Sequence, residues 1–325
     1  MVMSIVLSHR TARLYHAAQF RPTRRVTLPA EPSVLRAEPP DMSLVARARQ
    51  ILLRCGVPEA ALETLDVLVP ASACRRSGFG LSSHVWSHPI PAHGLIELER
   101  GIYVCDIALC AQQIASALDE LELIECLFEL CGKYSLPFQP DEAYRERSPL
   151  VTPDALRCHV ECAPGQRGIN RLRNALRYVQ GGIRSPMETA LLIPIIGPRR
   201  LGGLNIKMIQ AARRVEVTGR ARDLTRRSYF ECDALLPKSG TDLEYDGIIH
   251  EDAEQAAIDT ERTNAMMAMG YSVMSVNRHA LFDPLAFRRL MLAIMQREGR
   301  RIDRLPPEFY QKQEDLRRFV LRRWL

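Results

Sequence analysis

The sequence predicts a two-part α/β protein, α+β overall: a mixed central sheet flanked by helices, preceded by a smaller helical and short-stranded domain. Three observations carry this. Segments of period-2 alternation and a helical segment follow one another over residues 229–276, the order strand, strand, helix, strand. Prolines at 137, 140, 149 and 153 break the chain near its middle. The 325 residues give room for two domains of ordinary size. The predicted parts are 1–150, 151–300 and a basic C-terminal helix over 301–325.

In order along the chain, Thr11 to Phe20 reads as a short helix, and a Pro-rich connector follows it (Pro22, Pro29, Pro32, Pro39, Pro40). Ser43 to Cys55 reads as a helix with Ser43 as its N-cap and Gly56-Val57-Pro58 as its stop. Leu65 to Val69 and Leu95 to Val104 read as strands, and the Gly-, Ser- and His-rich segment between them as a loop. Cys110 to Cys131 is one helix or two, apolar at Ile114, Leu118, Leu121 and Ile124. Ile169, Leu172, Leu176 and Val179 line one face of a further helix whose other face carries Arg171, Arg173 and Arg177. Ser185-Pro186-Met187-Glu188 then has the spacing of a capping box, so local sequence makes Glu188 a helix-start carboxylate.

Composition excludes several classes. With 46% hydrophobic and 25% charged residues, the chain is neither a disordered tail nor a fibrous repeat. Its longest apolar runs, such as Leu191 to Ile196, are too short to cross a bilayer, and Met1 to Leu7 meets Arg10 and Arg13 before any cleavage site. The expectation is a cytoplasmic protein with no membrane partner. Nine cysteines include no CxxC pair, and His159 beside Cys158 and Cys162 lacks a second ligand motif, so reduced, partly buried thiols are expected. His84, Trp86, His88 and His93 cluster too, but in a segment that reads as a loop rather than a metal site.

Charge is unevenly placed. The net charge is +6, yet Arg167 to Arg227 alone holds 14 Lys or Arg against three acids, leaving the remainder net acidic. Such a stretch is often just a solvated helix face. Here it directly precedes an acidic constellation, and a concentrated positive field suits DNA phosphates.

That constellation sits on two strands. Tyr229 to Leu236 alternates Phe230, Cys232, Ala234 and Leu236 with Glu231 and Asp233; Pro237 to Gly240 turns; Leu243 to Ile249 returns with Glu244 and Asp246 on one face. Asp233 thereby comes opposite Glu244 or its neighbour, and His250 ends the strand. Crowded carboxylates repel, and oxygen-only ligation suits Mg²⁺ or Mn²⁺. A helix from about Asp252 to Met269 and a strand from Tyr271 to Val276 complete a βαβ unit, placing the last strand parallel to the Glu244 strand. Asp259 and Arg262, three apart on the helix, read as a surface or site-bracing pair, with a simple helical ion pair as the default.

Taken together, Ser185-Pro186-Met187-Glu188, Asp233, Leu243-Glu244-Tyr245-Asp246-Gly247 with His250, then Asp259, Arg262 and Gly270-Tyr271-Ser272-Val273 resemble the restriction-endonuclease-like superfamily named for its PD-(D/E)XK motif. The branch they are similar to includes very-short-patch-repair endonuclease-like domains, and the likeness covers residues 169–292. The first half resembles AbiEi-type antitoxin and repressor proteins, which similar actinobacterial proteins place ahead of such a domain.

The resemblance implies phosphodiester hydrolysis, with Asp233, Glu244 and Glu188 holding the metal and Asp246 and His250 assisting. The basic stretch supplies the phosphate contacts expected beside it, from Arg171, Arg173, Arg177, Arg213 and Arg214, with Arg262 from the following helix. One departure stands out: the third motif position usually holds Lys, and here it is Asp246. Lys207 and Lys238 are the alternatives. The second expectation is therefore a DNA-binding, antitoxin-like regulator without turnover. For the first half, a winged helix, a protein-partner module and a homodimer interface are the alternatives. The arginine-rich tail reads as a docked amphipathic helix.

Overall fold

The computed structural model describes residues 4–18, 34 and 35, 37–76, 78, 80–138, 142–246, 253–301 and 305–325. The chain divides into two compact units, Met1–Leu130 with Ser135–Leu176, and Cys131–Tyr134 with Arg177–Leu325. The proline cluster thus does not mark the boundary.

The first unit contains β1 (Ile5–Leu7), α1 (His9–Ala18), α2 (Met42–Arg54), β2 (Leu65–Val69), β3 (Leu81–Val85), β4 (Leu95–Glu99), β5 (Ile102–Cys105), α3 (Ile107–Ile114), α4 (Glu120–Cys131), α5 (Pro153–Cys162) and α6 (Ile169–Ala175). The last two helices belong here because Leu156, Val160, Ile169 and Leu172 are buried and both helices pack against α3. The sheet order is β3-β2-β1-β5-β4, with β1 parallel to β5 and antiparallel to β2. A five-stranded sheet makes this unit an α/β layer structure, more than a winged helix.

Several local expectations change. The strand read over 95–104 is a hairpin: Arg100 and Gly101 turn the chain, Gly101 at φ 84°, a conformation glycine adopts without a Cβ clash. Residues 107–131 form two helices because Asp119 and Glu122 cap α4 reciprocally, at 2.8 and 2.9 Å. Asp41, rather than Ser43, caps α2, accepting the Ser43 N–H at 2.7 Å. The loop read between β2 and β4 contains β3, a polar strand that needs only its parallel pairing with β2.

The second unit contains α7 (Pro186–Ile196), β6 (Gln210–Glu216), β7 (Tyr229–Leu236), β8 (Thr241–Asp246), α8 (Ala253–Ala268), β9 (Ser272–Asn277), α9 (Arg278–Phe282), α10 (Pro284–Arg297) and α11 (Pro307–Leu321). Its sheet runs β9-β8-β7-β6; β9 is parallel to β8 and the other pairings are antiparallel, the mixed sheet that the sequence predicts. Ala265 and Met266 of α8 pack with Phe230, Cys232, Leu235 and Val215. β6 carries no clear apolar pattern; as an edge strand it buries little beyond Val215, and Arg213 and Arg214 remain exposed.

Helix α11 docks on α7, burying Phe309, Leu316, Val320 and Leu321. Arg317 is buried with them and bonds Glu314 and the Phe282 carbonyl, so it is not a solvent-facing cation. Gly202 makes this docking close: it sits at φ 90°, and a Cβ there would strike the Lys312 backbone. Gly202→Ala is expected to cost at least about 1–3 kcal/mol, read from the denaturant midpoint. No helix among the described residues is long and apolar enough to cross a membrane.

Candidate functional site

All of the site's described parts lie in the second unit. Leu243 on β8 pairs with Ala234 on β7, so the next step of the antiparallel ladder sets Glu244 beside Asp233. The Asp233 carboxylate accepts the Tyr245 N–H at 3.0 Å, which fixes it against β8. Asp233, Glu244 and Asp246 all line one cavity of about 790 Å³, together with Arg184, Arg226, Arg227 and Arg262.

Glu188 does not line that cavity, but it opens α7 close behind it. Its backbone N–H donates to Ser185 Oγ at 3.1 Å, while its carboxylate accepts the Ser185 hydroxyl at 2.9 Å and the Arg184 N–H at 3.1 Å. The capping box is therefore real. Burial, and then the negative charge of Asp233, push its ionisation up to about 7.

Sequence reasoning missed Asp242. It is fully buried, and it belongs to the same period-2 series as Glu244 and Asp246, which is the signal that reveals it. Arg262 reaches from α8 to both Asp242, at 2.9 Å, and Glu244, and donates to the Glu231 carbonyl at 3.0 Å. Arg262 thus braces the acidic centre itself, on two carboxylates of β8 and a carbonyl of β7. With its guanidinium so engaged and only 20% exposed, Arg262 is removed from the phosphate-binding set.

The centre is short of positive charge. Asp242 Oδ1 is buried without a donor, and one guanidinium faces two carboxylates. Burial, then Asp242, hold the Glu244 ionisation up at about 8. Burial also raises Asp233 and Asp242, against the pull of the Tyr245 N–H on the first and of Arg262 on both. Among the described residues, no three His, Cys, Asp or Glu side chains are already set as a metal cage.

The other expected residues are dispersed. Arg171 and Arg173 lie on α6 in the first unit, where Arg171 donates to the Leu118 carbonyl and Arg173 to Asn170 at 2.8 Å. Arg177, Arg213 and Arg214 are exposed in the second unit. Neither lysine alternative reaches the cavity: Lys238 donates to the Glu298 carbonyl at 2.7 Å, and Lys207 sits over the Tyr178 ring. His250 lies outside the described residues. Arg184, Arg226 and Arg227 are the lining cations that the reading of the basic stretch did not single out.

The histidine-rich segment proves to be organised in the first unit. His84 lies on β3; its Nε2 is 2.8 Å from Asp66, and its ring stacks on His9 at 3.8 Å. Burial, then the facing His84, lower the His9 ionisation to about 4. Burial works against Asp66, yet the hydrogen bond and charge of His84 hold it low. For a histidine with a depressed folded pKa, the unfolded chain binds the proton first, so stability is present above 6.5 and is lost towards pH 4. Acidification over that window is expected to remove up to about 3 kcal/mol from the first unit, and His9→Gln to flatten the loss in urea titrations.

No family model, no curated protein and no solved structure matches this chain.

Proposed function

We propose that the second unit is a restriction-endonuclease-like hydrolase of DNA phosphodiester bonds that works with Mg²⁺ or Mn²⁺. One observation carries the reading: Asp233 and Glu244, from neighbouring antiparallel strands, face a single cavity whose wall also presents Arg184, Arg226 and Arg227. A plain structural ion pair needs no cavity and no surplus of carboxylates.

The donor set fits a hard divalent cation. Its oxygens are crowded, one buried carboxylate oxygen lacks a donor, and a second positive centre would relieve all three raised carboxylates. Asp233 and Glu244 would hold the ion, with Glu188 behind Asp233. When bound, such an ion polarises the phosphate and acidifies its water.

The chain's own residues do the rest. Arg226 and Arg227, exposed at the cavity, bind backbone phosphates as fixed cations. Arg184 is tied to Glu231 and orients that wall. Every cation lining the cavity among the described residues is an arginine, which cannot take up a proton. Among the described residues, Asp246, exposed on the cavity wall and two residues along β8 from Glu244, is in place to assist proton transfer.

A second reading, a DNA-binding regulator without turnover, is favoured by Arg262, which already neutralises part of the acidic centre. Supercoiled plasmid with Mg²⁺ or Mn²⁺ separates the two. The hydrolase reading expects nicking that Asp233→Ala and Glu244→Ala both abolish. Nicking that survives both substitutions eliminates the site, and mobility shifts without nicking establish the regulator.

A further inference from the structure

Tyr229 opens β7 and is 38% exposed, a large aromatic ring left at the wall of the cavity. It is not a loose side chain. The Arg214 guanidinium lies over its ring at 3.7 Å from the centroid, and Glu216 fixes Arg214 through a 2.7 Å bond to Nε. The ladder explains the stack: Arg214 pairs with Glu231 and Glu216 with Tyr229, so Arg214 reaches diagonally across the strand pair to the ring.

Tyr229, Glu231 and Asp233 alternate onto one face of β7, and all three line the same cavity. Four residues of strand place the aromatic platform about 13 Å from Asp233. Arg226 and Arg227 sit three and two residues before the platform, exposed on the same cavity wall.

From this juxtaposition we infer that the site takes single-stranded DNA, with an unpaired base stacked on the Tyr229–Arg214 platform and its phosphates on Arg226 and Arg227. The inference rests on the nucleic-acid reading above and narrows its substrate. In an intact duplex both faces of every base are already covered by neighbours, so an aromatic–guanidinium plane gains nothing there. A splayed base offers a bare π-face, and stacking of this kind tolerates any sequence. Arginines alone would serve a duplex equally well. It is the fixed aromatic plane in line with the acidic centre that a duplex does not use.

The test measures binding by fluorescence anisotropy, using the full chain in EDTA so that no cleavage intervenes. The probes are one labelled oligonucleotide, alone and annealed to its complement. Tighter binding of the single strand is expected, with Tyr229→Ala weakening it by about 10-fold while leaving duplex binding unchanged, and Tyr229→Phe retaining affinity. Arg226→Ala is expected to lower the salt dependence for both probes alike. Equal loss on both probes, or tighter duplex binding, overturns the stacking inference but leaves the hydrolase reading intact. Failure to bind either probe overturns both. Single-strand affinity unchanged in Tyr229→Ala removes the platform alone.

Discussion

Arg262→Leu is expected to lower the melting temperature of the second unit by roughly 10 °C, one of the two largest effects of any single substitution considered. The guanidinium bridges fully buried Asp242 to partly buried Glu244, and its removal leaves both carboxylates uncompensated, Asp242 in a place that water does not reach. Breaking a buried pair from one side costs about 3–5 kcal/mol, and each kcal/mol is worth about 2–4 °C in a unit of this size. The sign of the pH dependence follows from the raised carboxylates. Their folded forms bind protons more readily than the unfolded chain, so stability is complete below the ordinary carboxylate range and is lost as pH rises towards the value near 8 held by Glu244. The deficit of Arg262→Leu is therefore expected to be larger at pH 8 than at pH 5. Adding Asp242→Asn is expected to restore much of the loss, because a neutral partner no longer needs the cation. Thermal denaturation of the single and double variants at both pH values checks this; a deficit independent of pH would place the cost in packing instead.

Asp233→Asn is expected to abolish nicking while leaving stability unchanged or raised by about 1 kcal/mol. Asparagine keeps an oxygen to accept the Tyr245 N–H, so the bond that fixes β7 against β8 survives. What disappears is one negative charge from a crowded, half-buried centre, whose presence raises Glu188 and Glu244 in turn. The loss in rate is expected to exceed the roughly 100-fold that removal of a mere supporting partner can bring. Single-turnover nicking assays and melting curves on the same preparation test the two halves together. A variant that is both slow and unstable would mean that Asp233 chiefly holds the sheet together.

The contrast between these substitutions follows from position. Asp233 and Glu244 face the cavity, whereas Asp242 lies beneath them and Arg262 spans both levels. A carboxylate at the surface of the cluster can be neutralised without harm to the fold. A cation that serves the buried layer cannot.

Much of this was legible in the chain itself. The alternation in 229–236 and from Leu243 onward, with Pro237 to Gly240 between, marks two strands whose periodicity puts Asp233, Glu244 and Asp246 on one face, although β8 already begins at Thr241. The helix stop at Gly270 and the parallel return strand follow from local signals and from the handedness of crossovers. The Ser185–Glu188 capping box needs only four residues to specify it. These features are short-range, and the backbone obeys them wherever the segment ends up.

Tertiary structure decided the rest. Nothing within α8 shows that Arg262 reaches Asp242 and Glu244 on β8, because an ion pair's partner is chosen by what the sheet brings within reach. The boundary at 176 rather than at the proline cluster depends on α5 and α6 finding their apolar partner in α3. Strands β3 and β6 lack a hydrophobic signature, since an edge strand is held by backbone pairing to one neighbour and can leave its side chains in water. The stacking of His9 on His84, 75 residues later, likewise arises only when β1 and β3 flank β2. Local periodicity sets which side chains share a face; only the assembled sheet sets which faces meet, and the charge balance of the acidic centre is a property of that meeting.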